Sequence, residues 1–184
     1  MSRLTAVALL LAACATPTPP GTDIRGTVVR VDDGDGFRVR LDGREGRARL
    51  IGLNAPEHDE CHGEQARAAL HDLVGGREVG LAFDVERTDQ YGRQLAYATV
   101  GEVLVNEALV RRGHALAVSY PPNTTHDQAL AAAEEAARTS GTGLWAACRS
   151  PRAGAVEIAG VRADPPGPDH EHLDGEWVEL ENPG

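Results

Sequence analysis

Asp33-Gly34-Asp35, Arg49 and Glu57, with Arg93 downstream in Asp89-Gln90-Tyr91-Gly92-Arg93, are the residues of this chain best suited to chemistry on a phosphate. Carboxylate and amide oxygens take a hard divalent cation. A guanidinium grips phosphate oxygens in a planar fork that an ammonium cannot match. A further carboxylate within reach of a water can position or deprotonate it. Together these are the parts of a phosphodiester-cleaving site. The acidic turn does not read as an EF-hand, because Phe37 stands where a ligand oxygen is needed and no glutamate closes a twelve-residue loop.

Those residues need a scaffold, and the pattern around them is that of short strands. Residues 27–31 are rich in β-branched types and end at acidic turn residues. Residues 37–41 alternate apolar and basic and stop at Asp42-Gly43, a hairpin signal. Residues 47–53 resume as a third strand. The acidic segment 32–36 is therefore predicted as a strand–strand turn, with Arg49 on the neighbouring hairpin partner. Residues 63–74 carry Ala66, Ala69, Leu70 and Leu73 at helical spacing and close at Gly75-Gly76. Residues 78–83 and 95–100 read as two more strands, joined by the loop that carries Arg93. Residues 103–112 and 126–138 read as helices. The expected fold is β-rich α+β, a five-stranded Greek-key barrel with about three covering helices.

The front of the chain reads as a targeting segment. Residues 1–13 combine a short positive start with an apolar run at 4–13, too short for the roughly 20 residues a bilayer span needs. The run ends Leu11-Ala12-Ala13-Cys14, which resembles a bacterial lipoprotein signal with Cys14 as the lipidated residue; an ordinary signal peptide is the alternative. Residues 14–23, rich in Pro and Thr, form a tether. The expected location is the cell envelope, lipid-anchored on the extracytoplasmic side, or secreted. Two cysteines then remain, Cys61 and Cys148, and an even pair in an oxidising compartment is most simply one disulfide. In the chain-entropy picture such a long closed loop is worth roughly 4 kcal/mol. A zinc site around Cys61, with His58 and His62 flanking it, lacks a second ligand pair.

The net charge is −10, and all 18 basic residues are arginine. The balance is −5 over residues 22–150 and −6 over residues 151–184. A domain that coats nucleic acid by releasing counterions is usually basic, so that class is excluded. An enzyme can carry an acidic surface if a few placed arginines and a bound cation supply the local field.

Residues 24–148 resemble the thermonuclease family, whose type member is staphylococcal nuclease. The resemblance rests on Asp33-Gly34-Asp35, on Arg49-Leu50-Ile51 running into Asn54-Ala55-Pro56-Glu57, on 87–93 and on 105–113. Tyr120-Pro121-Pro122-Asn123 and Gly143-Leu144-Trp145 complete it, all in family order. It implies an OB-fold barrel and a monomeric nuclease that uses one calcium ion, and no small-molecule cofactor, on DNA and RNA. Carried over, it makes Asp35, the Asn54 side-chain oxygen and the Ala55 carbonyl the calcium ligands, with Asp33 behind them. Glu57 becomes the base, Arg49 and Arg93 the phosphate clamp, and Tyr91 and Tyr120 the flanks of the nucleotide. Products with 3′-phosphate and 5′-hydroxyl ends follow. The chain departs from the pattern at Asn54, usually Asp, at Ala55, usually Thr, and at Gly36, commonly Thr. An amide lacks a carboxylate's charge, so weaker calcium binding is expected, and a catalytically weakened OB module that binds nucleic acid is the alternative function.

After a linker at 149–155 the character changes. Residues 156–184 look like the opening of a lamin-tail domain, an immunoglobulin-like sandwich that needs about 100 residues. Two strands cannot build a core alone, so this segment is expected to be truncated or a remnant, and to add binding rather than catalysis.

Overall fold

The computed structural model describes residues 24–148, 157–162 and 177–181. The signal segment 1–13, the tether 14–23 with Cys14, and the linker 149–155 lie outside the described residues. The chain divides into two units, Met1–Ala147 and Cys148–Gly184.

The first unit is built on β1 (Ile24–Val31), β2 (Gly36–Leu41), β3 (Arg44–Leu50), β5 (Glu78–Ala82) and β6 (Gln94–Val100). The sheet runs β3-β2-β1-β5-β6, and a parallel pairing of β3 with β6 closes it into a barrel. This is the five-stranded closed barrel of the OB-fold. Closure removes the open edges that would otherwise invite further pairing. Alternation explains the inside: Phe37, Val39, Ala48 and Leu50 are buried, while Arg40 and Arg47 between them are exposed.

Three helices and one short turn cover the barrel. Helix α1 (Gly63–Val74) buries Ala66, Leu70 and Val74, the stripe its spacing predicts. Helix α3 (Asp127–Ser140) buries Leu130, Ala133 and Ala137 and ends at Gly141 in the left-handed region. The expected helix over 103–112 is shorter than the sequence suggests. Its first two residues form β7 (Val103–Leu104), paired with β6, and α2 runs Val105–Arg111. Helix α4 (Leu144–Ala147) is a single short turn. The expected strand over 47–53 is interrupted at Ile51 and Gly52. The chain resumes as β4 (Leu53–Asn54), which pairs with β8 (Leu116–Ala117), a pairing that no local pattern announced.

At that interruption Gly52 takes a φ of 76° and a buried side chain bonds the freed Ile51 carbonyl. Asn106 is fully enclosed; its amide donates to the Ile51 carbonyl at 2.8 Å and its oxygen accepts the Ala98 N–H at 2.9 Å. Burying an amide without such partners would cost about 1–3 kcal/mol. Cys61 and Cys148 are both disulfide-bonded. Among the described residues no helix is long and apolar enough to cross a membrane.

In the second unit, β9 (Glu157–Arg162) and β10 (Trp177–Glu181) pair antiparallel, with a register shift between Glu179 and Leu180.

Candidate active site

The acidic turn between β1 and β2 is tied at both ends. The Asp32 N–H donates to the Gly36 carbonyl at 2.9 Å, and the Leu50 N–H donates to the Asp35 carbonyl at 2.8 Å. Asp33 accepts the Asp35 N–H at 3.1 Å. A Cβ at Gly36 would stand 2.8 Å from Asp33 Oδ1, so glycine here leaves room for that carboxylate to fold over the turn. A Cβ at Gly34 would stand 2.6 Å from the Ala55 Cβ, which shows how closely the turn packs on the Asn54-Ala55 segment.

Asp35 points inward and is only 7% exposed. Its Oδ2 accepts the Ala55 N–H at 3.0 Å and forms an ion pair with Arg49 Nη1. Burial pushes the Asp35 carboxyl up to about 6, against the opposing pull of Arg49 and the Ala55 N–H. Arg49 also donates from Nη1 to the Leu50 carbonyl and from Nη2 to Asn54 Oδ1, both at 3.1 Å. One guanidinium therefore gathers the oxygens of Asp35 and Asn54.

Among the described residues no three His, Cys, Asp or Glu side chains gather as a metal cluster. A cation here must draw on amide and backbone oxygens beside the Asp35 carboxylate. Asn54 and Ala55 supply that type of donor, and an all-oxygen set suits calcium better than a softer metal. Burial raises the Asp35 pKa despite its ion pair with Arg49, and a divalent cation at these oxygens would favour the charged carboxylate. The residues present fit calcium, with less negative charge than a set of carboxylates.

The second arginine is aimed by its own loop. Arg93 Nε donates to Asp89 Oδ2 at 2.7 Å, while the backbone N–H groups of Tyr91 and Arg93 donate to Asp89 Oδ1, each at 2.9 Å. Burial works to raise the Asp89 pKa, but these hydrogen bonds and the Arg93 charge outweigh it and hold the carboxyl below its usual range. Gly92 completes the turn with φ 72°. A latch joins this loop to the next: Asn123, almost fully buried, accepts the Glu86 N–H at 2.8 Å and donates to the Glu86 carbonyl at 2.9 Å.

Arg49, Arg93, Tyr91 and Tyr120 line one cleft of about 480 Å³, with Asn123 and Asp89 at its wall. Tyr91 and Tyr120 are 63% and 53% exposed, so both rings are open to a ligand rather than packed in the barrel. The Arg93 guanidinium lies 5.6 Å from the centre of the Tyr91 ring.

Glu57 is exposed, three positions beyond Asn54, and is not among the residues lining that cleft. Its loop is nonetheless held. The Glu57 N–H donates to Glu60 Oε2 at 2.9 Å, and the Glu60 N–H donates to the Glu57 carbonyl at 3.0 Å. A Cβ on Gly63 would sit 1.8 Å from the Glu57 carbonyl oxygen, so the first residue of α1 must be glycine for this loop to lie where it does.

Sequence reasoning named no role for Asp89, Asn106, Asn123 or Gly63. Asp89, Asn106 and Asn123 lay inside matching motifs and Gly63 at the start of the expected helix 63–74; the available signal was a polar residue or a glycine at a loop end. Asn106 and Asn123 act on partners far along the chain, which spacing does not reveal; Asp89 and Gly63 act on near neighbours, at Tyr91 and Arg93 and at Glu57.

Residues 47–147 match the family described as staphylococcal nuclease homologue. Protein ParB of Escherichia coli is 35% identical over 147 residues, covering 75% of this chain and 81% of its own. The thermonuclease of Staphylococcus intermedius is 34% identical over 133 residues, covering 67% of this chain and 79% of its own. The micrococcal nuclease of Shigella flexneri is 35% identical over 136 residues, covering 69% and 76%.

Proposed function

This chain belongs to the staphylococcal nuclease family, and on that footing we propose that it is a calcium-dependent nuclease that hydrolyses phosphodiester bonds of DNA and RNA. The observation that carries the reading is the shared cleft. Arg49 and Arg93 flank it, and Arg49 alone also reaches Asp35 and Asn54.

In this reading Arg49 and Arg93 hold the scissile phosphate and meet the negative charge that grows on it during in-line attack. Glu57 takes a proton from water as the water oxygen bonds to phosphorus. The bond from phosphorus to the 5′ oxygen breaks, that oxygen takes up a proton and leaves as a hydroxyl, and a 3′-phosphate remains. Tyr91 and Tyr120 stack on the bases beside that phosphate. Asp35, Asn54 and the Ala55 carbonyl would hold the calcium, which supplies positive charge for the buried carboxylate and for a phosphate oxygen.

The deciding experiment digests single-stranded DNA with and without calcium, for the parent, Glu57→Gln and Arg93→Ala. Calcium-dependent cutting by the parent, lost in both variants, supports the enzyme. No cutting up to about tens of millimolar calcium, where even the weakest calcium sites fill, together with retained binding of the strand, supports instead an OB module that binds nucleic acid. Asn54 is the residue that favours that second reading, since it brings no charge to a calcium ion.

We place the protein outside the cytoplasm, attached to a membrane by a lipid on Cys14, with Cys61 and Cys148 joined to each other under oxidising conditions. Cys14→Ser should release it from membranes; retention on them would remove the lipid reading. Residues 156–184 are assigned a binding role with a lamin-tail-like character.

A further inference from the structure

Outside the cleft the strongest unassigned feature is a row of arginines on the outer face of the barrel. Arg30 on β1 lies directly opposite Arg38 on β2, and Arg38 lies directly opposite Arg47 on β3. Like charges facing each other across a sheet destabilise it, so three in a row call for a compensating role. Their local compensation is thin. Asp32 stands 2.5 Å from Arg30 Nη2 and 3.4 Å from Arg38 Nε, one carboxylate shared by two guanidiniums. Arg38 Nε makes no hydrogen bond. Glu45, which lines the same hollow as Arg38 and Arg47, is engaged by Arg40 at 3.0 Å.

The row leads to the cleft. Arg38, Glu45, Gly46, Arg47 and Gly92 line a second hollow of about 470 Å³, in which Glu45 is already paired with Arg40. Gly92 sits between Tyr91 and Arg93, which line the cleft itself. Arg47 Nη2 donates to the Tyr91 carbonyl at 2.6 Å and so braces the turn between the two depressions. Arg47 and Arg49 alternate with buried Ala48 and Leu50, so they share the outer face of β3 about 7 Å apart. That is roughly the rise of two stacked nucleotides.

We propose that Arg30, Arg38 and Arg47 form a second phosphate-binding track, which takes the backbone of a single-stranded polynucleotide as it leaves the cleft over the Tyr91-Gly92 turn. The proposal rests on the reading of the cleft as the site of the scissile phosphate. The ligand class follows from chemistry on both sides of the turn: guanidinium forks that suit phosphates, continuous with exposed aromatic rings that suit unpaired bases. The track also answers how a chain of net charge −10 can hold a polyanion. It concentrates positive charge on one face, where the field a strand meets is set by neighbouring groups within a Debye length.

The test uses the full chain and two labelled substrates, a dinucleotide that reaches only the cleft and a 20-nucleotide single strand. Arg30→Gln with Arg38→Gln is compared with the parent. A control, Arg67→Gln with Arg111→Gln, removes equal charge from the helices. The expected result is that kcat/KM on the long strand falls about tenfold more than on the dinucleotide in the track variant and not in the control. The salt slope of long-strand binding, read by anisotropy in calcium-free buffer, should shrink by about 1.4, the effect of two lost phosphate contacts. Equal losses on both substrates, or equal losses in the control, overturn the track. If the parent binds the long strand but cuts neither substrate, the nuclease reading fails. The track then stands or falls on the anisotropy slope alone, which distinguishes the two failures. Arg47→Lys, which keeps the charge near Tyr91, gives a milder loss on the long strand if the fork geometry matters.

Discussion

The two halves of the candidate site are built in opposite ways. The phosphate half is fully scaffolded: Arg93 is aimed by Asp89, its loop is latched by Asn123, and the turn beyond it is braced by Arg47. The half proposed to hold calcium is a buried carboxylate whose pKa is pushed up to about 6, beside an amide that adds no charge. One half is pre-organised; the other is electrostatically incomplete. Arg49 belongs to both, so the two halves cannot be perturbed independently at that residue.

The largest effect separates either half from the base. Glu57→Gln should lower kcat by about 10²–10⁴ while leaving single-strand binding close to parental. A loss under tenfold would remove Glu57 from the chemistry. Next comes the phosphate half. Arg93→Ala should cost about 10²–10³ in kcat/KM, and Asp89→Asn a smaller part of it, because the guanidinium stays but is no longer aimed. If Asp89→Asn matched Arg93→Ala, aim rather than charge would be what the loop supplies.

The metal half should respond in binding rather than turnover. Asn54→Asp is expected to tighten calcium about tenfold by calorimetry, about 1.4 kcal/mol. No tightening would mean that Asn54 lies outside the coordination sphere. The metal-free protein should also show the cost of Asp35 through pH. A carboxyl whose folded pKa is raised binds its proton more tightly when folded. It therefore stabilises the fold below its unfolded value near 3.8, and that contribution is lost as pH rises through about 6. In chelator, melting temperature should fall across that window, and Asp35→Asn should flatten the fall. On calcium affinity the smallest effect is expected from Gly63→Ala, whose Cβ would meet the Glu57 backbone carbonyl oxygen at 1.8 Å and must displace that loop. It should lower kcat and melting temperature together, with calcium affinity close to parental.

How much of this could be read beforehand depends on the range of the interaction. The strands expected over 37–41 and 78–83, the latter ending one residue earlier at Ala82, the helix 63–74 and the acidic turn follow from alternation, helical spacing and turn residues, all local signals. The break after Leu50 holds Gly52 at φ 76° and hands the Ile51 carbonyl to Asn106, a partner far along the chain that no local pattern announces. The leading two residues of the expected helix over 103–112 joined a strand for the same reason: β6 offered them a pairing that local propensity does not see.

The candidate site divides along the same line. Sequence by itself determined the inventory: which acids, amide and arginines exist, and that among lysine and arginine only arginine is present. Residue types and motif order carry that much, because they depend on side-chain chemistry alone. Tertiary structure decided the convergence. The parallel pairing of β3 with β6 brings Arg49 opposite Leu95, next to the loop of Arg93. The packing of Gly34 on Ala55 sets Asp35 beneath the Ala55 N–H. The facing of Arg30, Arg38 and Arg47 appears only once the strands are in register. Closing a barrel is a long-range event, and its register comes from packing the whole core at once, which no short window of sequence contains.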